Sequence, residues 1–319
     1  MEKNGVEMPA ELKLTPAIIT DYSIVNSTLA YAHLKLGIAT YEITTKKGNF
    51  LLKLIAPSVQ QIIPRKDSKL CNKFTRLIRS SYLLALKCSQ LPSFSKVISH
   101  KVVNNVLHVL MPMPDKKVTQ YVSQAKIIRL KDIMNLIAQI INAITELDKL
   151  GIVHYVISLN SIYLTPTTVK PENPEKKICI TEILPDISPF IECKDAISEE
   201  DGFQLPPEAW EKFDGLTVAS HIYISGHYCL KFINSNPVIV NYIQSITSGQ
   251  ESALQECNKD QLEMIMDLIN RMVDVVSCSR PSPHELLFYF QLFALGNANV
   301  AVQISKFSKV IVSVSYENR

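Results

Sequence analysis

The chain has 319 residues, 47% of them hydrophobic and 20% charged, and a formal net charge of +3. That length and apolar content suit one two-lobed domain or two smaller ones with an ordinary core, and a total charge so mild gives no ground for a nucleic-acid partner. Seven cysteines without a Cys-x-x-Cys pair argue against a zinc site or a disulfide framework, and no apolar run suits a membrane span or a signal peptide, so a reducing cytoplasm without membrane contact is expected.

Residues 1–20 carry Pro9, Pro16 and mixed charge and read as a lead-in. From residue 22 to 55, apolar and β-branched runs are separated by turn signals such as Lys46-Lys47-Gly48-Asn49, which predicts a meander of antiparallel strands. Lys53 follows Phe50-Leu51-Leu52, and on its own it reads as a lysine snorkelling from a strand end. Residues 69–90 place Leu70, Phe74, Leu77, Ile78 and Leu84 at helical spacing, with Lys69, Lys73, Arg76 and Arg79 on neighbouring positions. No acidic residue occurs from Ser68 to Pro114, so this basic stripe is either a solvated face or a docking surface for an acidic protein segment.

Strand signals return over 96–103 and 106–111 around a tight turn at Asn104-Asn105, and Pro112-Met113-Pro114 forms a rigid link. A long amphipathic helix is predicted over 129–150. Its apolar face is Ile133, Leu136, Ile137, Ile140, Ile141, Ile144 and Leu147, and Gly151 stops it. A loop begins at His154, and short strands at 162–164 and 178–181 flank a Pro- and Lys-rich turn over 170–177. An acidic stretch around Glu199-Glu200-Asp201 leads to Pro206-Pro207-Glu208, a helix opens between His221 and Gly226, and Arg280-Pro281 follows another over 261–273. Beyond Phe293, Val302, Ile304, Val310, Val312 and Val314 alternate in part, which predicts one or two strands seeking a sheet edge.

The order of Lys53, the His154 loop, the strand pair, Pro207-Glu208, Gly226 and Arg280-Pro281 resembles the protein kinase fold over residues 20–293. The resemblance implies an α+β, bilobal protein: a lead-in (1–20), an N-lobe of antiparallel sheet plus one helix (21–111), a mainly helical C-lobe (112–293) and a C-terminal extension (294–319). It also implies that Lys53 is the phosphate-contacting lysine, that His154 braces its loop from inside, and that Glu208 and Arg280 form a structural salt bridge.

The chemical positions depart from the kinase pattern. Val156 stands where the resemblance expects the Asp that orients the attacking hydroxyl, and Ser161 where it expects the magnesium-binding Asn; Ser158 is a further degraded position. Glu182, or Thr181 if the register slips by one, replaces the second metal-binding Asp. Ala32 and Leu34 occupy two phosphate-loop glycine positions and leave Gly37 alone, while Leu51 replaces the small residue that roofs the adenine. Leu110 or Met111 would guard the back of the pocket, and the hinge prolines offer no N–H to a nucleotide. The helix over 69–90 has no Glu to pair with Lys53, Tyr155 replaces the Arg that receives a phosphorylated activation loop, and His221 replaces the usual Asp of its helix.

These departures imply a pseudokinase: a non-enzymatic, cytoplasmic scaffold or allosteric module with no metal or cofactor. It would dock protein partners through the basic helix, the activation-segment surface or the C-terminal tail. The alternative is a structural subunit of a larger assembly, cytoskeletal or ribonucleoprotein. A third class is an atypical kinase that uses Lys53 and Glu182.

Overall fold

The computed structural model describes residues 8–33, 37–56, 86–124, 130–152, 155–157, 159–165, 177–181, 184–185, 206–208, 216–248, 259–295, 297 and 299–305. The chain opens with α1 (Pro16–Asp21), then builds β1 (Ile24–His33), β2 (Ile38–Thr45), β3 (Gly48–Ile55), β4 (Ser99–Val103) and β5 (Val106–Pro112). These form one antiparallel sheet in the order β1-β2-β3-β5-β4. The predicted Asn104-Asn105 turn is present, with both residues at positive φ (50° and 64°), the geometry that suits the twist of a two-residue hairpin.

The two faces of the sheet bury different partners. Alternation along β3 sends Leu52 and Leu54 to the outer face with Ala39, Tyr41, Ile43 and Val106, and Leu51 to the other with Leu107, Val109 and Met111. The lead-in packs on the sheet from residue 8 onward: Leu12 and Ile18 are buried on the outer face, and the Tyr41 hydroxyl donates to the Leu12 carbonyl at 2.7 Å. Thr15 caps α1 and Pro16 starts it, so the two prolines that read as connector signals instead set the path of a segment that covers the sheet. At the end of this segment Asp21 pairs with Lys101 at 2.8 Å, Lys101 lies 4.6 Å over the Tyr22 ring, and His108 is buried beneath.

The second half contains α2 (Val118–Gln124), α3 (Leu130–Lys149), β6 (Tyr155–Val156), β7 (Ile162–Leu164), β8 (Ile178–Ile180) and β9 (Leu184–Pro185). It continues with α4 (Val218–Ser235), α5 (Pro237–Thr247), α6 (Lys259–Met272) and α7 (Pro283–Ala294). The predicted apolar face of α3 is buried along its whole length and packs against α4 and α7. Gly151, at φ 69°, ends α3. The Ile152 N–H returns to the Leu147 carbonyl at 2.9 Å and the Gly151 N–H to that of Asp148 at 2.8 Å, so two end carbonyls are satisfied. Gly226 lets α4 approach α6: a Cβ there would lie 2.7 Å from Val273 Cγ1 and 2.9 Å from Met272 Cβ.

Two expectations need correction or lie out of view. Residues 299–305 are helical rather than extended, with Ala301 and Val302 buried, so core packing overrides the β-branched alternation. Val310, Val312 and Val314 lie outside the described residues, as do Lys69, Lys73, Arg76 and Arg79. Among the described residues no helix is long and apolar enough to cross a membrane.

Two outcomes follow from this packing. Alanine in a helix interior is ordinarily about 1 kcal/mol better than glycine, yet Gly226→Ala should destabilise by about 1–3 kcal/mol in urea unfolding because the added methyl meets α6. His108 and His227 each bury a ring nitrogen that has no hydrogen-bond partner. Burial lowers the pKa of both below the ordinary 6.5; at His108 nearby Lys101 adds to this and Asp21 opposes it. The unfolded chain therefore takes up more protons, so Tm should fall as the pH drops through 6.5, and His108→Leu should flatten that slope.

Candidate functional site

The candidate site lies between the sheet and the strand pair β7–β8. Lys53 is only 5% exposed, and its ammonium donates to the Thr181 carbonyl at 3.4 Å, just beyond β8. Thr181 in turn donates twice to the Ser161 carbonyl, from its N–H at 2.9 Å and from its hydroxyl at 3.1 Å. Thr181 thus meets the Ser161 backbone through both its N–H and its hydroxyl. Glu182, His154 and Ser158 lie outside the described residues.

The loop backbone is strongly held. Tyr155 and Val156 form β6 and pair antiparallel with Pro185 and Leu184 of β9, so the main chain at Val156 is tied to the segment beyond β8. One residue later, the buried Tyr228 hydroxyl on α4 donates to the Ile157 carbonyl at 2.7 Å. Leu159–Ser161 then makes a single tight turn into β7, which pairs with β8 from Ile162 and Ile180. Tyr228 was not foreseen as a support of this loop, because its sequence signal was only that of an apolar helix position.

Above Lys53 the site is apolar. Leu51 is completely buried and pairs directly with Met111, and both pack with Leu107 and Val109, with Val97 and Met113 at the edge. Leu110 packs on the opposite face, so Met111 is the residue behind the site. Of the link residues, Pro112 ends β5 opposite Phe50 and Pro114 is buried, and neither has an N–H. The chain beyond the link joins β7: the Asp115 N–H donates to the Leu164 carbonyl at 2.9 Å and the Leu164 N–H to that of Lys116 at 3.0 Å. On the sheet side Ala32 pairs with Ala39, and the Gly37 carbonyl accepts the Ala56 N–H at 2.7 Å; Leu34 lies outside the described residues. His221 is buried in the first turns of α4.

Glu208 and Arg280 meet as a two-pronged pair, Nη1 to Oε1 at 2.5 Å and Nη2 to Oε2 at 2.8 Å. The Arg280 side chain is 0% exposed and also donates to the carbonyls of Asp274 at 2.8 Å and Ala219 at 3.0 Å, with the Tyr223 ring 4.8 Å away. Burial pushes the Glu208 carboxyl up, but hydrogen bonds from Arg280 and Ser220 outweigh it and hold the group below the ordinary carboxylate range. Removing the carboxylate strands the fully buried Arg280 cation, so Glu208→Ala should cost about 3–5 kcal/mol in urea unfolding. Because the folded pKa lies below the ordinary 4.5, the carboxylate's contribution is complete above that pH. It should fade as the pH falls towards the folded value, and Glu208→Gln should remove that acid-limb dependence.

No protein-family profile matches the chain, and no curated protein sequence matches it. Among solved structures, the kinase domain of PknI from Mycobacterium tuberculosis is similar in backbone. A double-mutant form aligns with a TM-score of 0.51 at 12% identity, covering 85% of this chain and 96% of that one. A single-mutant form aligns with a TM-score of 0.50 at 13% identity and the same coverage. At such identity the likeness concerns architecture alone, and in architecture this chain has a protein kinase-like fold: bilobal α+β, with an antiparallel N-lobe sheet and a mainly helical C-lobe.

Proposed function

We propose that the chain is a kinase-shaped binding module, a pseudokinase that transfers no phosphoryl group and holds no nucleotide in its cleft. The observation that carries this reading is the bond network from Lys53 through Thr181 to Ser161. Phosphoryl transfer rests on positioning and charge: a lysine on the phosphates, metal ions held by acidic or amide side chains, and a carboxylate that orients the attacking hydroxyl. In this chain the lysine amine reaches a backbone carbonyl. A threonine hydroxyl is spent on another carbonyl, and Val156 has no proton acceptor.

The apolar wall supports the same reading. Adenine stacks in kinases against a small residue on the lysine strand, and leucine at that position, fully buried against Met111, fills volume from inside. The polar groups an adenine needs are also scarce, because two of the three link residues are prolines. What remains for function is surface. A protein partner is the proposed ligand, with Lys69, Lys73, Arg76 and Arg79 as candidate contacts for an acidic segment.

Thermal unfolding of the full chain with ATP or ADP, each with and without magnesium, tests the reading. A ligand at a hundredfold excess over its Kd stabilises a protein by about 2.7 kcal/mol, a shift of several degrees. The expected result is an unchanged Tm in all four conditions, for the wild type and for Lys53→Met. A shift that depends on Lys53 would overturn the proposal.

A further inference from the structure

Two lysines cross between the lobes in opposite directions. Lys53 leaves β3 and donates to the Thr181 carbonyl below it at 3.4 Å. Lys117, immediately before α2, sends its ammonium back up to the carbonyl of Ala30 on β1, also at 3.4 Å. The backbone of Lys117 is bridged to Tyr163 of β7 and its amine lies 5.9 Å from that ring, so the residue is anchored in the C-lobe while its head reaches the sheet. Burial draws the Lys117 pKa down, while Glu42 on β2 pushes it up, so the N-lobe supplies a negative charge as well as an acceptor.

Backbone closes the cleft elsewhere. The Ser95 N–H donates to the Ile180 carbonyl at 2.8 Å, and the Ile180 N–H to the Ser93 carbonyl at 2.8 Å, so the N-lobe chain before β4 is laced to β8. Among the described residues, these hydrogen bonds between the lobes fall at Ala30, at Thr181 and at Ile180, beside the apolar contacts that Ile38, Cys88 and Phe94 make with the C-lobe core.

Resting on the reading of the cleft as free of nucleotide, we propose that Lys53 and Lys117 are reciprocal straps that keep the lobes closed without a ligand. A ligand-driven clamp closes when a bound molecule bridges its two halves. Here each lobe contributes a cation of its own to a carbonyl of the other, so the bridge between the halves is made by the chain's own side chains. A partner would meet a surface of constant shape across both lobes, which lowers the ordering cost of binding it.

Hydrogen exchange of the full chain, read by mass spectrometry without nucleotide, tests the straps in wild type, Lys117→Met and Lys117→Arg. The Ser95 and Ile180 amides report on opening because their acceptors lie across the cleft. A charged hydrogen bond lost should speed their exchange about tenfold in Lys117→Met while α3 stays unchanged, and Lys117→Arg, which keeps a cation of similar reach, should stay near wild type. Unchanged exchange at Ser95 and Ile180, or an equal rise in α3, overturns the proposal. Should Lys117→Met not fold, Lys117→Gln, too short to reach Ala30, is read in the same way. A parallel arm with ATP and magnesium separates the two claims: slowed exchange in wild type sinks the nucleotide-free reading, and the arm without nucleotide judges the straps.

Discussion

A guanidinium sealed from water must find acceptors for its N–H groups inside the protein, and Arg280 finds them in four places. Glu208 takes two hydrogen bonds, and the carbonyls of Ala219, Asp274 and Val275 take the others. These acceptors belong to the start of α4, the turn after α6 and the short segment at 206–208, so one side chain fixes the mutual position of three parts of the C-lobe. Moving the 206–208 segment would take the carboxylate from a buried cation, and moving either of the others would cost that cation an acceptor, which is why the arrangement behaves as a constraint rather than as one contact among many. Once α4 is fixed, Tyr228 on its inner face is placed to hold the Ile157 carbonyl, and through it the loop below the cleft.

In the cleft, the backbone path and the side chains answer to separate demands. A kinase loop needs a set backbone path and particular side chains, and the two are separable. The path here depends on β6–β9 pairing, β7–β8 pairing and the Tyr228 hydroxyl, none of which requires an Asp or an Asn in the loop. The side chains follow different demands: Thr181 and Lys53 satisfy carbonyls, and Leu51 fills space. Function therefore has to be argued from the site rather than from the architecture.

Much of the local structure was legible in the sequence because its causes are local. The apolar stripe of α3 follows from helical spacing, its end from Gly151, and the β4–β5 turn from two residues that tolerate positive φ. Within the site, the sequence singled out Lys53 and Leu51, and it left Met111 or Leu110 open until the pairing of β3 with β5 put Met111 beside Leu51. It gave no sign that Thr181 meets the Ser161 carbonyl, since that contact depends on which backbone groups pair across β7 and β8.

By itself the sequence determined the periodicities, the stops and the valine at position 156, because a side chain's own chemistry is the same in any fold. The tertiary structure decided what lies far apart in the chain: that residues 8–21 cover the sheet and that 299–305 wind into a helix on the C-lobe core. It also decided that Lys117 reaches Ala30 across 87 positions. A lysine beside a proline-rich link carries no local sign of its acceptor. Its role exists only after the two lobes have come together, and the contact between them is set by packing rather than by any pattern a run of neighbouring residues can display.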